Sequence, residues 1–210
     1  MPVLDSNKYA IALHTSTPQL GIAISNYGGD SRTQVWDLGR GLASQLHQYL
    51  LEIIAPQTWH NLEFIAVAKG PGGFTGTRVG VVTARTIAQQ LNIPLFGISN
   101  LAAVAAAQNC QSDKLLAVQM DARREQLFVA IFQVSEQGLQ TYLNDTLMTV
   151  EAWQQTLADL PSSYRLITAD EQIAHTVTNV LDLAYSVWLQ GKHSHWSQVF
   201  PYYGQHPVSK

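Results

Sequence analysis

Two short turns and one glycine string hold the side chains whose types could do chemistry. His14, Thr15 and Ser16 follow the apolar run 9–13, and Asp121 and Arg123 follow a second apolar run, LLAVQM. Hydroxyls, an imidazole and a carboxylate at two strand ends could form a Ser-His-Asp hydrolase. The hydrolase alternative lacks the G-x-S-x-G elbow that presents a nucleophilic serine, and Asp121 and Arg123 are expected to pair or cap within their own turn. Between the turns lies AVAKGPGGFTGTRVG, in which Gly70, Gly72 and Gly73 lead from a buried strand into a helix. Amides at such a helix start can meet an anion. The same glycines can instead make a tight turn, with Gly76, Gly80 and Ala84 letting the helix pack closely. His193 and His195 could share a metal, but no carboxylate or cysteine accompanies them, so a solvated tail is the expectation.

The elements that must position these groups are legible from periodicity. Runs at 9–13, 21–25 and 33–38 read as a three-strand meander around Thr-Ser-Thr-Pro and Gly-Gly-Asp turns. Leu42, Leu46, Tyr49, Leu50, Ile53 and Ile54 recur at helical spacing over 42–54. The run 64–69 is continuously apolar, as a strand covered on both faces must be. It is followed by a helix over 75–91 closed by Asn92 and Pro94, a strand at PLFGIS, and an alanine-rich helix over 101–108. The order is β-β-β-α-β-α with a closing strand and helix, giving an α/β first domain over 1–108.

The rest of the chain, 109–210, predicts a second and smaller copy. Laid over the first hairpin at an offset of 107 positions, Asp121 falls on His14, and Gln126, Leu127, Val129, Ala130 and Ile131 fall on Gln19, Leu20, Ile22, Ala23 and Ile24. The chain therefore reads as a duplication, with two similar turns facing across a cleft. A strand over 139–148, a helix over 151–160, a strand over 165–168 and a helix over 173–189 follow, then a polar tail.

Composition limits the function classes. The 210 residues carry 12 Lys and Arg against 15 Asp and Glu, a net charge of −3. That balance supplies no basic field for nucleic acid. The 13% charged content is about half the usual share, which excludes a disordered or supercharged chain. A single cysteine, Cys110, excludes a disulfide framework and any multi-cysteine zinc site. No signal-peptide pattern or bilayer-length apolar run is found, so a soluble cytoplasmic protein is expected.

The motifs IALHTST, AVAKGPGGFTGTRVG, FGISNLAAVA and AVQMDARREQLFVAIF, in that order over about 9–132, closely resemble the TsaB family, also called YeaZ, of bacterial tRNA threonylcarbamoyladenosine biosynthesis proteins. The resemblance implies the actin-like, sugar-kinase and Hsp70 ATPase superfold, two duplicated lobes with mixed sheets flanked by helices, the second reduced. It implies a noncatalytic dimerisation or scaffold subunit without a cofactor, pairing with the TsaD-like transferase that modifies adenosine 37 of tRNA. A TsaE-like ATPase joins the two, tRNA is met only through the complex, and a homodimer is possible when the chain is alone. Pairing in the family runs through the first helix and the helix after the GPG turn. Here those helices offer Leu42, Leu46, Tyr49 and Ile53, and Thr75, Val79, Val82 and Thr86, with Leu50 and Ile54 left for the core.

Departures from the family pattern point to a degenerate cleft. His14 and Thr15 stand where the family has Asp-Thr, and Gly73 stands where it has serine, so two oxygen ligands are lost; a neutral imidazole is a poor magnesium ligand. The helix LAAVAAAQNC lacks the histidine pair, one turn apart, that carries the metal in the transferase relatives. An autonomous ATPase or kinase of the same superfold and a glycoprotease-like metallopeptidase are the alternatives, and both depend on the missing ligands.

Overall fold

Tyr9–His14 (β1) is buried at all six positions because each face of the strand meets a different helical layer. Alternation along a strand sends Ile11 and Leu13 to one face and Ala10 and Ala12 to the other. β1 pairs antiparallel with Gln19–Ser25 (β2), which pairs antiparallel with Ser31–Asp37 (β3). Leu62–Ala68 (β4) runs parallel to β1, and Leu95–Ile98 (β5) parallel to β4. The first sheet thus has the order β3-β2-β1-β4-β5. The structure is a computed structural model describing residues 4–108, 115–135, 138–192 and 194–204; Cys110 and His193 lie outside these residues.

Two helices cover the large-residue face of this sheet. Leu42–Ile54 (α1) and Phe74–Leu91 (α2) bring Leu46, Leu50, Val81 and Ala84 onto Ile11, Leu13, Ile22 and Ile65. α2 ends where Asn92 takes a left-handed conformation (φ 54°) and its N–H reaches back to Ala88 and Gln89, a turn that asparagine tolerates better than most residues.

The second sheet repeats the connectivity with one strand fewer. Leu115–Asp121 (β6), Gln126–Ser135 (β7) and Gly138–Thr149 (β8) form an antiparallel meander, and Tyr164–Ala169 (β9) lies parallel to β6, giving β8-β7-β6-β9. Val150–Ala158 (α4) covers one face through Trp153 and Leu157. Two sheets built on one connectivity are the two-lobed actin-like arrangement, with the second lobe reduced. The overlay at offset 107 matches the end of the first strand and the start of the second, but the pairing slips by one residue. Leu13 faces Ile22 in the first hairpin, whereas Met120 faces Phe128 in the second.

The division at 108 separates the strands of the two lobes but not their helices. Asn100–Ala106 (α3), which precedes it, packs Leu101, Val104 and Ala105 on Leu116 and Val118 of the second sheet. Val177–Leu189 (α5), which follows it, packs Val177, Val180, Leu181 and Ala184 on the first. The exchange is possible because the receiving face of the first sheet is paved with Ala10, Ala12, Ala23, Ala66 and Ala68, which admit a helix at close range. The helix expected over 173–189 is a 3-10 turn, Ile173–Thr176, followed by α5.

The expected polar tail is a strap. Leu95 N–H donates to Ser194 O (3.1 Å) and Tyr202 N–H to Lys69 O (2.7 Å), while Val199 is buried in the first core. Arg85 lies against Trp196 (5.9 Å) and Phe200 (5.1 Å), a cation over aromatic rings. Trp196, Phe200 and Tyr203 stand at helical spacing, but Pro201 and the surrounding polar residues interrupt the run, so periodicity gives no clear sign that the stretch packs.

Candidate functional site

The first turn of the expected cleft is closed by the protein's own backbone. His14, Thr15 and Ser16 are buried, and the start of α2 sits directly on them. Gly73 N–H donates to Ser16 O (2.7 Å), and Thr15 Oγ1 donates to Gly76 O (2.8 Å). A Cβ added at Gly76 would lie 2.0 Å from Thr15 O, and one at Gly80 would lie 2.1 Å from Thr15 Oγ1. These glycines therefore serve close approach, and the amide of Gly73, which precedes α2, is already committed to Ser16 O. Gly70 takes φ +103°, and its added Cβ would meet Tyr202 O at 2.5 Å, so only glycine fits there. Gly72 is similarly tight against Ser16. Gly73 has an ordinary φ of −60°, so backbone geometry does not require glycine where the family has serine.

His14 is fully buried, and neither ring nitrogen has a hydrogen-bond partner. Burial, reinforced by His175, lowers its pKa from 6.5 to about 3, so the imidazole is neutral at pH 7. The Ser16 hydroxyl points to Ala68 O (3.5 Å) rather than to an imidazole, and no Ser-His-Asp arrangement forms among the described residues. The 3-10 turn after β9 closes the hairpin from the other side: a Cβ at Gly21 would lie 2.3 Å from Ala174 O.

The second turn is open. Asp121 and Arg123 are exposed, and Asp121 Oδ1 accepts from Arg123 N–H (2.9 Å), the local capping that the sequence suggests. Arg123, Arg124 and Glu125 all have left-handed φ values of 64°, 53° and 57°. No hydrogen bond or ion pair joins Asp121 to His14 among the described residues. His195 is exposed and shares a hydrogen bond with Ser197 Oγ (2.7 Å), fixing its own turn. No group of three or more His, Cys, Asp or Glu side chains capable of holding a metal occurs among the described residues. No helix among them is long and apolar enough to cross a membrane.

The helical surface corrects the expected interface on α1. Leu42, Leu46 and Ile53 are core residues packed on their own sheet, and Tyr49 is half-buried with its ring 4.5 Å from Trp36. The inner stripe runs through Leu42, Leu46, Leu50 and Ile53, so Leu51, about 100° further round, is the apolar residue that faces out, 57% exposed. On α2, Thr75, Val82 and Thr86 are exposed as expected, and Val79 is half-buried against the core. Val82 is 52% exposed. Phe74, 43% exposed with its ring 4.4 Å from Tyr203, and Phe200 on the strap extend this surface; periodicity marked neither. Leu51 is detectable in the sequence only as the apolar residue left over once the inner stripe is complete.

The family model of TsaD, tRNA N6-adenosine threonylcarbamoyltransferase, matches residues 45–197. The chain belongs to this family, on its TsaB (YeaZ) side. It is 36% identical over 106 residues to the TsaB protein of Bacillus subtilis, covering 50% of this chain and 44% of that one. It is 32% identical over 127 residues to TsaB of Haemophilus influenzae, covering 58% and 52%. The chain thus spans about half the length of these curated relatives. YeaZ from Pseudomonas aeruginosa superposes with a TM-score of 0.76 at 20% identity, over 93% of this chain and 100% of that one. This agreement establishes the fold.

Proposed function

We propose that the chain is a noncatalytic, partner-binding subunit of the machinery that makes threonylcarbamoyladenosine in tRNA, docking a TsaD-like transferase through the outer face of α1 and α2. The observation that carries this reading is the contrast between a turn closed on itself and a helical face that leaves Leu51, Phe74 and Val82 in water. Large apolar side chains left in water on two neighbouring helices support an interaction surface there. The relatives named as TsaB biosynthesis proteins support the pathway. A TsaE-like ATPase joins the assembly. With net charge −3 the chain meets tRNA through its partner.

Pull-down of the TsaD-like subunit, paired with thermal melts, tests the proposal. Val82→Glu and Leu51→Glu should each weaken partner binding at least about tenfold (about 1.4 kcal/mol) while leaving the melting temperature unchanged. Leu46→Ala should instead destabilise the isolated chain by about 2–5 kcal/mol, because it empties a fully buried position. Normal binding by both surface variants overturns the interface. Turnover of ATP by the isolated chain overturns the noncatalytic assignment.

A further inference from the structure

Beyond partner docking, and independent of it, a hollow between the two lobes is lined by two charged groups, Lys69 and Asp145. Its volume is about 250 Å³. Drug-sized sites run from about 300 to 1,000 Å³, so this one suits a single small molecule. Lys69 follows β4, Ser99 follows β5, and Asp145 comes from β8, so the groups converge from both sheets. The parallel strands β4 and β5 both end here, and the carboxyl ends of parallel strands are a recurrent ligand position in α/β folds.

The two charges are held in place without being joined. Ser99 Oγ donates to Asp145 Oδ1 (2.7 Å), and Tyr202 OH donates to Asp145 O (2.8 Å), which fixes the residue from both sides. Asp145 Oδ2 has no protein partner among the described residues. The Lys69 backbone is clamped between Ile98 O and Tyr202 N–H, and its stem lies beside Gly97. Lys69 Nζ makes no hydrogen bond or ion pair among the described residues. The ammonium nonetheless acts on the Asp145 carboxyl, opposing the rise in pKa that burial causes. Lys69 and Asp145 are both half-buried in the lining of the hollow, where a ligand of opposite charge would supply the partner that Lys69 Nζ and Asp145 Oδ2 lack. Ile98, Phe132, Leu139 and Val187 make the remaining wall apolar. A second hollow, of about 500 Å³, lies under the strap and also has Lys69 and Gly97 in its lining.

We propose that this hollow binds one free α-amino acid with an aliphatic side chain, its ammonium on Asp145, its carboxylate on Lys69 and its side chain on the apolar wall. A molecule with only one charge satisfies one protein group and strands the other, so both charges of the ligand are required.

Calorimetric titration of the full chain with L-leucine, leucinamide and 4-methylpentanoate tests the assignment. L-Leucine should bind saturably, and the two half-charged probes should bind at least about tenfold more weakly. Lys69→Met and Asp145→Asn, which preserve shape, should each reduce L-leucine affinity at least about tenfold with unchanged circular dichroism. Amide chemical-shift changes in the wild-type chain on adding L-leucine should centre on Lys69, Ser99 and Asp145, a reading that needs no variant. Absence of saturable heat with L-leucine, L-valine and L-isoleucine overturns the proposal. So does equal binding of either half-charged probe, or shift changes elsewhere.

Discussion

The turns after β1 and β6 begin as copies and end as opposites. In the first lobe the start of α2 lies on the turn and an amide of that helix is consumed by Ser16 O. In the second lobe no helix equivalent to α2 covers the turn among the described residues: after β9 the chain passes through the 3-10 turn 173–176 and crosses to the first sheet as α5. Arg123, Arg124 and Glu125 are therefore left in water. The hairpin is shared by both lobes, but the element that follows it decides whether its turn is a packed joint or an exposed loop.

The strongest way to break this contrast is to wedge the packed joint open. Gly76→Ala places a Cβ where Thr15 O stands at 2.0 Å. It should cost about 3 kcal/mol in urea unfolding despite the roughly 1 kcal/mol that alanine gains in helix propensity. A melt within 1 °C of the wild type would show that the two turns are equally tolerant.

Next in size is the buried imidazole. His14 has a pKa of about 3 in the folded chain against 6.5 for the free side chain. Below pH 6.5 the unfolded chain takes up a proton that the folded chain refuses, so this contribution to stability falls as pH falls toward 3. From pH 7 to pH 5 the loss should be about 2 kcal/mol. His14→Gln should remove that part of the pH dependence, as read from urea midpoints at the two pH values. At the corresponding position Asp121 is exposed.

The smallest effect belongs to the open turn. Arg123 holds φ +64°, a region that costs a side chain about 1 kcal/mol and glycine little. Arg123→Gly should be neutral or stabilising by up to about 1 kcal/mol, the opposite sign to Gly76→Ala. Destabilisation beyond that range would mean that the second turn is also a packed joint.

Much of this was legible in the sequence because it is local. The bounds of α1, the start of α2 just past Gly73 and its end at Asn92 follow from periodicity and turn chemistry, and the offset of 107 positions found the repeat of the hairpin. What escaped depends on distances between remote elements. The choice of stripe on α1 went wrong because Leu42, Leu46 and Ile53 are apolar whether they face a sheet or a partner, and spacing cannot tell which. The closure of the first turn required knowing that Thr15 sits under Gly76. The one-residue slip in the second hairpin follows from how its turn closes, which a gap-free overlay cannot register. Lys69 and Asp145, distant in sequence and on different lobes, carry no motif that would join them.

The exchange of α3 and α5 between sheets has a consequence for how the chain is made. When synthesis has passed α2 and β5, every strand of the first sheet exists, yet its alanine-paved face remains bare. The helix that covers it is more than a hundred and fifty residues after β1 and is among the last elements to emerge from the ribosome. Such long-range closure is intrinsically slow, so the growing chain carries a half-covered sheet through most of its translation. The first lobe thus matures only after the second has been synthesised.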